Sequence, residues 1–181
     1  MKLRKNYIIH SELALPYLET PENHIKVIFK TLETKFGLKK DSKQKLIDLG
    51  SGDGCIVVYS SINYGIRSFG CEINPNLIKE TKEKIKMLKK EKIYQNKNFR
   101  KIIIKIGDIF ILNLKKFDFI YIYSLPTMQK FLNHVFITAK SGAVFISYKY
   151  PLKNFESYLK LDYILKDNDN NHDISYFYRK W

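Results

Sequence analysis

The chain has 181 residues, 45% of them hydrophobic, with a formal net charge of +14. That length suits one domain, the apolar share supports a core, and no apolar run approaches the roughly 20 residues of a membrane-spanning helix. The opening Met1-Lys2-Leu3-Arg4-Lys5 lacks the apolar stretch and small-residue cleavage site of a secretory leader, so a cytoplasmic location is expected.

Thr20-Pro21 marks the first helix start, with Thr20 placed as N-cap. Ile25, Ile28, Leu32 and Phe36 then recur at helical spacing, predicting an amphipathic helix over 22–36. A polar connection over 37–43 leads into a buried strand over 45–49. Asp48-Leu49-Gly50-Ser51-Gly52-Asp53-Gly54 follows, and a helix is expected over 54–63. The second strand, 68–73, carries Glu72 near its end. Asn74-Pro75 is an N-cap followed by proline at the first helical position, opening a helix over 75–92. Ile78, Thr81, Ile85 and Leu88 share one face of it, and Glu80 and Lys84 are spaced as an i,i+4 pair.

The β-branched run 101–106 reads as a third strand, with Gly107-Asp108-Ile109-Phe110 after it. A fourth strand over 117–123 runs into Ser124-Leu125-Pro126, and a helix is expected over 127–139. Strands are expected over 143–148, 161–165 and 174–178, the last two joined as a hairpin. Such alternation implies a three-layer α/β/α fold with a doubly wound, Rossmann-like, mostly parallel seven-stranded sheet. One strand near the C-terminal end should be antiparallel. Residues 1–181 form a single domain in this reading, with 1–43 covering the ligand site.

Ligands of doubly wound sheets bind beyond the carboxyl ends of the strands. Asp48, Glu72, Asp108 and Ser124 fall at four such ends. Glycines let the loop turn sharply and approach a ligand, and the helix that follows offers N–H groups without partners. The spacing D-x-G-x-G-x-G departs from the dinucleotide fingerprint G-x-G-x-x-G, because Cys55 holds the last position. Glu72 lies about 20 residues beyond the glycines, where a carboxylate can take both hydroxyls of a ribose.

This set of segments resembles class I S-adenosylmethionine (SAM) methyltransferases. Pro16-Tyr17-Leu18-Glu19-Thr20-Pro21, Leu46 to Gly54, Gly70-Cys71-Glu72-Ile73-Asn74-Pro75 and Gly107-Asp108-Ile109-Phe110 narrow the resemblance. They are similar to segments of a small protein-lysine methyltransferase family. It includes an archaeal broad-specificity enzyme and the eukaryotic enzymes for ATP synthase subunit c and the adenine nucleotide translocase. The similarity spans 16–151. Cys55 stands where that family usually has Arg, and Glu19 where it has Pro.

The resemblance implies SAM as cofactor. Asp48, Gly50, Gly52 and Asp53 would cradle its methionine end, with Tyr17 and Thr20 bordering it. Glu72 would hold the ribose with Asn74 shaping the turn, and Asp108 and Ile109 would meet adenine. On the acceptor side stand Tyr123, Ser124 and Pro126, with Tyr123 the candidate catalytic residue. Strand alternation puts Tyr121 and Tyr123 on one face. The partner implied is a protein with an accessible lysine, and the chain is expected to be a monomer.

Other readings stay open. A methyltransferase acting on RNA, DNA or a small molecule is one, and a SAM-binding module without catalysis is another. The charge is mainly lysine; the arginines are Arg4, Arg67, Arg100 and Arg179. Base-edge and phosphate-fork recognition favours Arg, so a solvated lysine coat is the first reading. Base-amine methylases of the superfamily often carry [DN]-P-P-[FYW] after the fourth strand. Ser124-Leu125-Pro126-Thr127 lacks the amide or acid and the aromatic. Cys55 and Cys71 read as reduced thiols, and His10, His24, His134 and His172 are scattered, so no metal is expected.

Overall fold

The computed structural model describes residues 19–91, 98–166 and 173–181. Pro16, Tyr17 and Leu18 lie outside the described residues, and with them the expected place of Tyr17. Seven strands form one sheet in the order β3-β2-β1-β4-β5-β7-β6. They are β1 (Lys45–Leu49), β2 (Arg67–Glu72), β3 (Ile102–Ile106), β4 (Phe119–Ile122), β5 (Val144–Tyr148), β6 (Leu159–Lys166) and β7 (Ile174–Lys180). Strands β1 to β5 pair in parallel, and β7 runs antiparallel to both β5 and β6. This is the doubly wound, mostly parallel arrangement expected, with the reversed strand near the C-terminal end.

All four residues of β4 are buried, as a central strand covered on both faces requires. Helix α1 (Glu22–Lys35) and helix α2 (Cys55–Tyr64) pack on one face against Leu46, Phe119, Tyr121, Ile146 and Phe177. The opposite face is closed by Phe110, Leu114, Leu132, Phe136 and Phe155 over Ile47, Ile120 and Phe145. Alternate residues of β1, β4 and β5 thus feed separate cores. Helix α3 (Pro75–Leu88) flanks β2 and β3. Among the described residues, no helix is long and apolar enough to cross a membrane.

Three local expectations change. Pro21, not Thr20, holds the N-cap of α1, with no side-chain cap bond. Thr20 is buried, and its hydroxyl meets the Tyr121 hydroxyl at 2.6 Å instead. Lys84 pairs with Asp53 at 2.8 Å across the fold and not with Glu80, because α3 packs beneath the glycine loop. The helix expected over 127–139 is two short ones, α4 (Pro126–Gln129) and α5 (Asn133–Phe136). Between them the N–H groups of Phe131 and Leu132 bond three residues back, to Met128 and Gln129. That tightened turn leaves Phe131 47% exposed and buries Leu132 fully. Asn74 caps α3 as expected, accepting from the Asn76 N–H at 2.9 Å, with Pro75 next.

Candidate active site

Leaving β1, the chain turns through Gly50, Gly52 and Gly54 at φ of 81°, 50° and 76°. Only glycine takes this region at no steric cost. A Cβ on Gly54 would also lie 2.4 Å from Cγ2 of Thr81. Thr81 in turn donates to the carbonyls of Gly52 (3.2 Å) and Leu77, so α3 braces the loop from below. No atom of the described residues lies within 4 Å of where a Cβ on Gly50 would sit.

Two strand ends are tied into this turn. The Gly50 and Ser51 N–H groups donate to the Cys71 carbonyl at 2.9 and 3.0 Å. Glu72 is only 7% exposed. Its Oε2 accepts from the Gly52 N–H at 2.9 Å, and its Oε1 accepts from Ile73 and Asn74, each at 2.8 Å. The Gly107 N–H donates to the Glu72 carbonyl at 2.9 Å, bringing the end of β3 alongside. There Asp108 accepts from the Phe110 N–H and caps the 3₁₀ turn Ile109–Ile111, with Ile109 and Phe110 buried. Asp53 accepts from the Cys55 N–H through Oδ1 and pairs with Lys84 through Oδ2.

Asp48 differs from these acids. It stands on β1 between Gly70 of β2 and Tyr121 of β4, 3% exposed. Its carboxyl makes no side-chain hydrogen bond among the described residues. Burial first, and then the charges of Asp53 and Glu72, hold its pKa well above the carboxylate range. Burial and then Glu72, Asp108 and Asp48 likewise push the Cys71 thiol up to about 11, so these acids share one field. Two buried hydroxyls nearby in the chain, Ser51 Oγ and Ser124 Oγ, have no partner among the described residues.

The carboxyl ends of β4 and β5 have another chemistry. Ile122 pairs with Leu49 on one side and Ser147 on the other, so Gly50, Tyr123 and Tyr148 begin the next row. Tyr123 is half-buried and packs edge-on to Tyr148, ring centroids 4.7 Å apart and planes at 77°. Tyr150 lies 6.4 Å from Tyr123. Ser124 is buried, its carbonyl accepting from the Gln129 amide at 3.1 Å, and Pro126 is exposed at the start of α4. Tyr121 is buried on the same face as Tyr123, beside Asp48, and burial raises its phenol far above the usual value.

The structure therefore brings Asp48, Gly50, Gly52, Asp53, Glu72 and Asn74 into one loop cluster, with Asp108 and Ile109 on the adjoining strand end. Thr20 reaches the cluster through Tyr121. Tyr148, Lys149 and Tyr150 were not singled out by sequence reasoning. Their signal was available: β5 neighbours β4 in a doubly wound sheet, so its end must flank that of β4. Among the described residues no group of three His, Cys, Asp or Glu is placed to hold a metal ion.

Such a site fits a ligand with positive charge and a vicinal diol. The buried Asp48 carboxyl has unused hydrogen-bonding capacity. One lone pair of Glu72 Oε2 remains after its backbone bond, and no described residue fills the space above Gly50.

Comparison with known proteins agrees. An RNA methyltransferase from Salinibacter ruber, solved with S-adenosyl-L-homocysteine, superposes with a TM-score of 0.73 at 21% identity, covering 90% of this chain and 94% of that one. The PH0226 protein from Pyrococcus horikoshii OT3 matches with a TM-score of 0.59 at 16% identity, over 86% and 91%. A mutant of MtNAS in complex with S-adenosylmethionine gives 0.63 at 12% identity, over 87% of this chain but only 62% of that chain. These likenesses establish the fold. No curated protein matches the sequence significantly. The ANTKMT methyltransferase domain matches residues 48–158, from the acid of β1 to the approach to β6. The chain belongs to the ANTKMT methyltransferase domain family and is a SAM-dependent methyltransferase.

Proposed function

We propose that the protein methylates lysine side chains of protein substrates. The observation that carries this reading is the tyrosine-walled strand end, Tyr123 against Tyr148, set in the same row as Gly50 of the glycine loop. Position 124 carries a serine where base-amine methylases hold an amide or acid, so nothing there is built to grip a planar exocyclic amine. The family's name and the lysine methyltransferase segments of the sequence support the same acceptor.

SAM supplies an already activated methyl group. Asp48, Gly50, Gly52 and Asp53 face its methionine end in this proposal, Glu72 its ribose with Asn74 holding the turn, and Asp108 and Ile109 its adenine. Thr20 borders the methionine end, anchored by Tyr121. The chain's remaining task is to position the amine and relieve it of a proton. A lysine of reference pKa near 10.4 is neutral in only about one molecule in 2,500 at pH 7. Entry between tyrosine rings strips water from the ammonium and favours the neutral form. The Tyr123 hydroxyl then orients the amine, and Ser124 and Pro126 border its approach.

A second reading is methylation of RNA, favoured by the likeness to the Salinibacter ruber enzyme and the net charge of +14. Tritiated SAM and the protein, added to cell lysate and then split between protease and nuclease, separate the two. The lysine reading expects label that protease releases and acid hydrolysis returns as methyl-lysine. Label sensitive to nuclease alone ends it.

A further inference from the structure

Lys149 has a backbone that its side chain does not favour. Three non-glycine residues of the described chain have positive φ: Asp41, Asn154 and Lys149, the last at 62°. Asp and Asn tolerate this region; lysine does not, and such strain persists only where the surroundings enforce it. Here they do. The Lys149 N–H donates to the Ile174 carbonyl and the Tyr150 N–H to the Tyr148 carbonyl, both at 2.8 Å, and the Ser147 hydroxyl donates to the Tyr150 carbonyl at 2.6 Å.

The turn carries the Lys149 ammonium over the acceptor-side rings. Nζ lies 5.5 Å from the Tyr148 centroid and 5.8 Å from that of Tyr123, within cation–π range of both. No salt bridge among the described residues includes Lys149. The Tyr148 ring is fixed from behind, its hydroxyl donating to Asp173 Oδ1 and its face lying 5.1 Å from His24. Strain, ring geometry and the absence of a salt bridge to Lys149 among the described residues point to one arrangement: a rigid aromatic seat with a cation of the chain's own held over it.

We propose that the Tyr123–Tyr148 ring pair is the seat for the acceptor's ammonium, and that Lys149 is its resident occupant. An incoming lysine must displace it. The inference rests on the lysine-acceptor reading and adds a regulator to it. A tethered competitor acts at an effective concentration on the order of millimolar. Single exposed lysines are therefore held off, and a substrate succeeds when contacts beyond its amine help to evict Lys149.

The test is a binding titration that needs no turnover. The full chain, saturated with S-adenosyl-L-homocysteine, is titrated by NMR with Nα-acetyl-lysine N-methylamide and with the matching norleucine compound. Lys149→Asn, which suits positive φ, should bind the lysine compound about tenfold more tightly than the unaltered chain. Lys149→Gly should do the same, Lys149→Arg should show no gain, and the norleucine compound should gain nothing. Equal or weaker lysine binding by the Asn and Gly variants overturns the proposal, as does an equal gain for norleucine. Label confined to nucleic acid in the lysate experiment sinks the acceptor reading independently. An unchanged titration beside labelled protein sinks the seat alone.

Discussion

The two halves of the strand-end arc solve opposite problems. At the ends of β1, β2 and β3 the side chains are carboxylates, and the backbone supplies the donors that hold them. Glu72 takes three N–H groups, Asp53 takes the Cys55 N–H and Asp108 the Phe110 N–H. At the ends of β4 and β5 the side chains are tyrosine rings, and the chain's own Lys149 ammonium lies over them. Carboxylates grip a permanent positive charge strongly; in the proposed reading the rings hold an ammonium by the weaker cation–π attraction, so that it can exchange. Asp48 sits at the seam, an acid of the first half buried beside Tyr121 of the second.

Substitution at that seam should have a large effect. Asp48→Asn should weaken SAM binding about a hundredfold, the scale of removing one partner of a buried charge pair. The same substitution should stabilise the ligand-free chain. Asp48 has a pKa raised above its unfolded value of about 3.9. Between those two values the folded state holds a proton that the unfolded state lacks, so the wild type loses stability as pH rises through the window. Thermal melts should show the Asp48→Asn variant ahead at pH 7, with the gap closing toward about pH 4. A variant that binds SAM normally, or melts lower at pH 7, would break the contrast between Asp48 and the satisfied Glu72.

Tyr123→Phe probes the other half with a smaller effect. It keeps the ring against Tyr148 and removes only the hydroxyl. Turnover should fall about tenfold, the worth of one hydrogen bond to the reacting amine, while the SAM dissociation constant stays within about twofold. Unchanged turnover would leave the ring as the whole contribution of Tyr123 and retire the orienting role.

The first half was legible in the sequence because its parts are local. A strand, three glycines and an acid lie within one decapeptide, and Asn74-Pro75 states its own helix start. The doubly wound, mostly parallel sheet with one reversed strand near its C-terminal end followed from alternation; the order of the strands and the place of β7 between β5 and β6 come from the structure. The second half depends on tertiary placement. Thr20 follows the N-cap composition rule, yet the proximity of Tyr121 gives its hydroxyl a buried partner and leaves Pro21 at the cap. Lys84 has Glu80 one turn away, but α3 leans under the loop and puts Asp53 within reach. Nothing in Tyr148-Lys149-Tyr150 announces a positive φ, since two of the three bonds enforcing it involve β7 and Ser147.

In the proposed reading, glycines and acids at adjoining strand ends hold one SAM molecule. Calorimetric titration of SAM into the intact chain and into Glu72→Ala, with the fold of each checked by circular dichroism, tests it most directly. A single site in the wild type, weakened at least about a hundredfold in the variant, is the expected result, because Glu72 organises the loop and, in the proposed reading, faces the ribose. A wild-type chain that takes up no SAM, or a folded Glu72→Ala that binds it as well as the wild type, would contradict the account.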